Sequence, residues 1–201
     1  YRKVLKLKRD ELVIALLPGS RMGELKAHTD TLLETAQNLL EVHPDAKFLI
    51  PATNDKNVHF IKGRIRNNPT KNLKLIKGKV DEILSSSNIA IAASGTASLQ
   101  IALHKKPMII IYKGSWISYF IWKMVRLIPN VSLPNILLNE NFVPEMLQHR
   151  ATPNLLSEKA CKIINDKKYL KKIEFKFNRL HKDLKKNTSS LIFKIIKPYL
   201  K

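Results

Sequence analysis

One cysteine, Cys161, stands among the 201 residues. A lone thiol excludes an internal disulfide and any multi-cysteine metal site, and it suits a reducing cytoplasm. Cys161 lies in an ordinary amphipathic stretch and reads as a small buried helix residue, not a nucleophile. Acidic residues are also scarce, 16 Asp and Glu against 36 Lys and Arg. No aspartate pair and no His-Cys cluster has ligand spacing, so neither a metal nor a cofactor is expected. None of the six histidines falls in a recognisable catalytic pattern. No window approaches the roughly 20 unbroken apolar residues of a membrane span. The first residues, Tyr1-Arg2-Lys3, offer neither Met nor a signal-like apolar segment. The expectation is a piece of a longer protein, or a half produced separately.

What is present is ordinary globular composition, 44% hydrophobic and 26% charged, with a formal net charge of +20. Such a charge suits polyanions through counterion release. Its distribution favours other readings: most of it is Lys, spread along the chain and concentrated after Lys159. The abundance of Lys, Asn and Ile fits A/T-rich codons, which leaves part of the charge as solvated surface. Attraction to an anionic membrane is the other physical use of such a face, with nucleic acid the less favoured partner.

Short apolar runs alternate with helical patterns, the signature of an α/β protein with a Rossmann-like parallel sheet. The strands are predicted at Leu12–Leu17, Lys47–Pro51, Leu73–Ile76, Ile89–Ala93 and Met108–Tyr112. Helices are predicted at Glu24–Val42, Lys56–Arg66, Val80–Ser86, through His104, and at Ser115–Leu127, where Trp, Tyr, Phe and aliphatic residues form a stripe. That stripe suits a core or interdomain contact better than a bilayer interface. Leu133–Ile136 and Val143–Gln148 read as loop and helix-start sequences, with Glu145 as a favourable first-turn charge. From residue 153 to 201 the pattern is a helical extension without a strand, at Asn154–Asn165, Tyr169–Lys186 and Ser189–Leu200. No repeat and no linker divides residues 1–201, which read as one domain.

Two turns carry the chemistry. Leu17-Pro18-Gly19-Ser20-Arg21 follows the first strand. Gly19 allows close backbone approach, and the amides, the Ser20 hydroxyl and the Arg21 guanidinium suit phosphate oxygens at a helix start. Ser94-Gly95-Thr96-Ala97 repeats the strand-turn-helix arrangement after Ile89–Ala93. Ligands of open α/β sheets bind outside the carboxyl ends of the strands. Simple capping of a helix by Ser94 or Thr96 is the plainer use of the second turn.

With these turns in order, the chain resembles the lipid-A-disaccharide synthases, inverting glycosyltransferases of the two-domain GT-B fold. The resemblance rests on Leu17-Pro18-Gly19-Ser20-Arg21 with Glu24, Ser94-Gly95-Thr96-Ala97, Lys106-Pro107-Met108 with Tyr112, Ser132-Leu133-Pro134-Asn135, and Val143-Pro144-Glu145 with Leu147-Gln148. Leu180-His181 is compatible with the family's C-terminus. The resemblance implies the C-terminal, donor-binding half of such an enzyme, with the lipid acceptor and catalytic base on a missing N-terminal half. The whole enzyme would transfer 2,3-diacylglucosamine from UDP to 2,3-diacylglucosamine 1-phosphate, releasing UDP. It would act in the cytoplasm, peripheral to the inner membrane.

The resemblance also assigns residues. Arg21 and Asn135 become candidates for catalysis. Gly19, Ser20, Arg21, Ser94, Gly95, Thr96, Ala97, Gln100, Glu145 and Gln148 become candidates for holding the UDP-2,3-diacylglucosamine donor. Such a transfer needs a base on the acceptor and donors for the charge developing on the departing diphosphate. One departure stands out: after Ser-Gly-Thr-x-x-Leu the family usually has Glu, and this chain has Gln100. An amide offers one acceptor oxygen where a carboxylate offers two, so ribose binding is expected to weaken. Two other readings stay open. One is the donor domain of another GT-B glucosaminyltransferase, such as a peptidoglycan enzyme. The other is a noncatalytic basic module for nucleic acid or anionic membrane.

Overall fold

In the computed structural model, residues 1–114 and 130–185 are described, with residues 192, 193, 196 and 197. The helix expected at Ser115–Leu127 lies outside the described residues, as does most of the helix expected at Ser189–Leu200. The first strand, β1 (Val13–Leu17), is buried throughout and leads into α1 (Met22–Val42). The chain continues through β2 (Lys47–Ala52), α2 (Asp55–Asn67), β3 (Leu73–Lys77), α3 (Val80–Ser86), β4 (Ile89–Ala93), α4 (Thr96–Leu103) and β5 (Met108–Tyr112). After the undescribed segment come α5 (Leu133–Leu138), β6 (Glu145–Leu147), a short 3-10 turn, α6 (Pro153–Asn165) and α7 (Lys167–Leu184).

The six strands form one parallel sheet in the order β3-β2-β1-β4-β5-β6. The order reverses between β1 and β4, which pair from Ile14↔Ile89 to Leu17↔Ala92. Such a reversal sends the loops after the two central strands to opposite faces and opens a crevice at the strands' carboxyl ends. Both anion-type turns begin there.

Period-two alternation divides the strand side chains between two cores. Ile14, Leu16, Phe48, Ile50, Ile89, Ile91, Ile109 and Ile111 face the layer containing α1 and α6, where Leu25, Leu32, Leu33, Ala36 and Leu39 complete the packing. Val13, Ala15, Leu17, Leu49, Ala90, Ala92, Met108 and Ile110 face the other layer, closed by Ile83 and Leu84 of α3 and Ile173, Phe177 and Leu180 of α7. The C-terminal helices are therefore built into both layers. The strands' nearly unbroken apolar character follows from burial on both faces.

Two local readings change. Glu145 is the first residue of an edge strand, not of a helix: β6 pairs with β5 from Ile110↔Glu145 to Tyr112↔Leu147. Three residues are too few for alternation to register, and Pro144 contributes its carbonyl to the Ile110 amide at 2.9 Å, extending the ladder. Leu133–Leu138 is a complete short helix with Pro134 near its start, and Asn139 closes it in the left-handed conformation at φ 49°.

Candidate functional site

A cleft of about 380 Å³ opens at the carboxyl ends of β1 and β4. It is walled by Gly19, Ser20 and Arg21 on one side and by Ser94, Gly95, Thr96, Ala97 and Gln100 on the other. The sequence-predicted turns thus meet. Pro51 near the end of β2, Thr53 just beyond it and Val80 of α3 also line it. Their part was readable only from the strand order, which brings the end of β2 to the same edge.

The first turn is rigid. Gly19 has φ +113°, and a Cβ there would lie 2.4 Å from Glu24 Oε2. Glu24 Oε2 accepts the Ser20 amide at 2.8 Å and the Arg21 amide at 3.2 Å, so the carboxylate caps the N-terminus of α1. Of the amides around Gly19 expected to suit an anion, those of Ser20 and Arg21 are taken by Glu24. Arg21 itself is 87% exposed, with its guanidinium 3.7 Å from Glu24 Oε1, so it remains free to swing toward a ligand.

Neighbouring elements pin the turn. Asn57 Nδ2 donates to the Ser20 carbonyl at 2.9 Å and to Thr53 Oγ1 at 2.7 Å. The buried His28 on α1 spans two loops: its Nδ1 lies 3.1 Å from the Pro18 carbonyl, and its Nε2 accepts the Lys113 amide at 3.0 Å. Acceptance at Nε2 fixes the neutral Nδ1–H tautomer. Burial, the largest influence, pushes the His28 pKa below its ordinary value. Composition gave no sign of this histidine's role, because it depends on two loops distant in sequence.

The second turn is differently provided. Gly95 has φ +150° and precedes α4. No hydrogen bond among the described residues engages the amides of Gly95, Thr96 or Ala97, which are left for an anion at a helix start. Ser94 Oγ instead donates to the Val131 carbonyl at 2.8 Å, and Ser98 Oγ to the Gly95 carbonyl at 2.7 Å. The amide nitrogens, more than the serine hydroxyls, are what this wall offers to a negative charge. Gln100 lines the cleft and donates Nε2 to Asp81 Oδ1 at 2.9 Å.

Asn135, Glu145 and Gln148 are not brought into this cleft. Asn135 is fully buried. Its Oδ1 accepts the amides of Phe142 (3.1 Å) and Val143 (2.9 Å), and its Nδ2 donates to the Val143 carbonyl (2.9 Å) and Glu145 Oε1 (2.8 Å). All four of its hydrogen-bonding positions are spent within the chain. Glu145 also accepts the amides of Val131 and Ser132 at 3.0 Å each, and the Ser132 hydroxyl at 2.8 Å. The two form a hub that ties residues 131–135 to 142–145. Gln148 accepts the Gly114 amide at 3.2 Å, while its buried Nε2 has no partner among the described residues. Among those residues no helix is long and apolar enough to cross a membrane.

A parallel sheet whose order reverses between its two central strands defines a class, the Rossmann-like α/β domains from which the GT-B fold is built. Solved structures agree at the level of fold. The Escherichia coli ADP-heptose lipopolysaccharide heptosyltransferase II superimposes at a TM-score of 0.59, with 11% identity over 83% of this chain and 50% of that one. A Neisseria meningitidis UDP-GlcNAc 2-epimerase bound to UDP-GlcNAc reaches 0.60, with 15% identity over 92% of this chain and 48% of that one.

Sequence comparison is more specific. The family model for lipid-A-disaccharide synthetase matches residues 1–196. The lipid-A-disaccharide synthase of Methylobacillus flagellatus is 35% identical over 100% of this chain, covering 53% of its own length. That of Aromatoleum aromaticum is 37% identical over 99% of this chain and 51% of its own length. The chain belongs to the lipid-A-disaccharide synthase family, glycosyltransferases of lipid A biosynthesis, and spans about half the length of the curated relatives it matches.

Proposed function

We propose that this chain is the nucleotide-sugar-binding half of a lipid-A-disaccharide synthase and that the cleft between Gly19 and Gly95 receives the diphosphate of a UDP-linked 2,3-diacylglucosamine. The observation that carries the reading is that the amides of Gly95, Thr96 and Ala97 have no partner among the described residues and line, with Arg21, the cleft at the switch point of a family member's sheet. Helix-start amides favour an anion, and Arg21 adds a mobile charge that can follow it.

In the transfer, the bond from the sugar's anomeric carbon to the diphosphate breaks as the acceptor hydroxyl of 2,3-diacylglucosamine 1-phosphate attacks, and negative charge collects on departing UDP. Preorganised donors at that charge lower the barrier. The Gly95–Ala97 amides and Arg21 supply them here. Glu24 serves the turn rather than the ligand, because its carboxylate is directed at backbone amides. The base that deprotonates the acceptor, and the acceptor's own site, belong to a separate half. Glu145 and Asn135 act by holding residues 131–145 in register beside β5, and Gln148 by holding the Gly114 amide. The assembled enzyme works at the cytoplasmic side of the inner membrane, where the basic surface favours anionic lipid.

A complementation assay tests the division of labour. The chain alone is expected to give no disaccharide from the acylated UDP-sugar and acceptor, and to gain turnover when the N-terminal half of a relative is added. Turnover by the chain alone overturns it.

A further inference from the structure

Gln100 lies on α4, four residues beyond Thr96, and lines the cleft with it. Its Nε2 shares Asp81 Oδ1 with His104 Nε2, each at 2.9 Å. His104 Nδ1 lies 3.1 Å from the Ser85 hydroxyl. Asp81 and Ser85 belong to α3, Gln100 to α4, and His104 caps that helix, so the four groups clip the two helices together. The chemistry of the chain of contacts is directional. An ionised carboxylate accepts and cannot donate, so His104 presents Nε2–H to Asp81, and Gln100 must face Asp81 with its NH₂ group. The Gln100 oxygen is thereby left without a partner among the described residues, on a side chain that lines the cleft.

We propose that Asp81, steadied by His104, is a positioning residue that turns the Gln100 oxygen toward the cleft, where it accepts a hydrogen bond from a ribose hydroxyl of the bound nucleotide. The proposal rests on the nucleotide reading above. Four residues of helix rise by about 6 Å, which matches the reach from a diphosphate held at the Thr96 amide to the pentose hydroxyls of the same ligand. Asp81 also accounts for an amide at position 100. A carboxylate there would meet Asp81 as a like charge across a hydrogen-bond distance, whereas an amide bonds to it. Without Asp81 the Gln100 amide is free to present either end, and an NH₂ end offers a ligand hydroxyl no acceptor.

Calorimetric titration of the chain with UDP, its 2′-deoxy and 3′-deoxy forms, and inorganic pyrophosphate tests this. The unaltered chain is expected to prefer UDP over one deoxy form by roughly three- to ten-fold, the worth of one neutral hydrogen bond. Asp81→Ala is expected to bring that ratio near one while leaving pyrophosphate binding unchanged. Asp81→Asn, whose side-chain oxygen still accepts from Gln100, is expected to keep the ratio. The inference is overturned if Asp81→Ala keeps the full preference, if it weakens all four ligands equally, or if the unaltered chain ignores both ribose hydroxyls. Absence of any UDP binding by the unaltered chain overturns the nucleotide reading as well.

Discussion

Glu24 occupies the space that a side chain at position 19 would need: its Oε2 lies 2.4 Å from the point where a Gly19 Cβ would stand. The same oxygen receives the Ser20 and Arg21 amides. Glycine and carboxylate are thus complementary halves of one turn. The glycine supplies φ +113° and empty space, and the carboxylate supplies the acceptor that closes α1.

Gly19→Ala therefore faces both an unfavourable backbone conformation and a steric collision. A loss of about 1–3 kcal/mol is expected, read as a lower midpoint in urea unfolding. UDP affinity is expected to fall with it, because relieving the clash displaces Glu24 and loosens the wall that carries Arg21.

Arg21→Ala separates ligand binding from stability. The side chain is 87% exposed and its contact with Glu24 is 3.7 Å, so the unfolding free energy is expected to stay within about 0.5 kcal/mol of the parent. UDP affinity is expected to fall about ten-fold, the lower end for a hydrogen bond to a charged group. Calorimetry and urea unfolding on the same preparation check both halves.

Asn135→Ala is expected to show the opposite pattern. The substitution strands the Phe142 and Val143 amides and removes one donor from Glu145. Leaving such groups unsatisfied costs about 1–3 kcal/mol, visible as a lowered thermal midpoint. UDP affinity measured well below that midpoint is expected to change little, because Asn135 does not line the cleft.

His28 gives the fold a pH dependence of definite sign. Burial lowers its folded pKa below the ordinary 6.5 of the unfolded chain, with Lys113 acting in the same direction and Glu24 and the Pro18 carbonyl opposing. As pH falls below about 6.5 the unfolded chain takes up a proton that the folded chain resists, so stability is lost until the lowered folded pKa is passed. Above 6.5 the contribution is complete. The unfolding free energy of the parent, followed by urea between pH 7.5 and 5, is expected to fall more steeply than that of His28→Gln.

The parallel sheet was legible because burial on both faces writes strands as compact apolar runs: Val13–Leu17, Ile89–Ala93 and Met108–Tyr112 all appear this way. The two glycine turns were legible because each immediately follows such a run. β6 was hidden, since three residues carry no period and Pro144-Glu145 also suits a helix start. The hub of Asn135 and Glu145 was hidden for another reason: motif order names the residues but not whether their polar atoms face a ligand or one another. His28 and Asp81 depend on contacts between separate elements, and no local pattern encodes them.

Titration of the chain with UDP by calorimetry, in parallel with a single-stranded RNA at two salt concentrations, tests the central claim most directly. Saturable one-to-one UDP binding, weakened by Arg21→Ala, is expected. No saturable UDP binding, together with tight RNA binding that collapses as salt rises, would contradict a nucleotide-sugar site and assign the basic surface to polyanions instead.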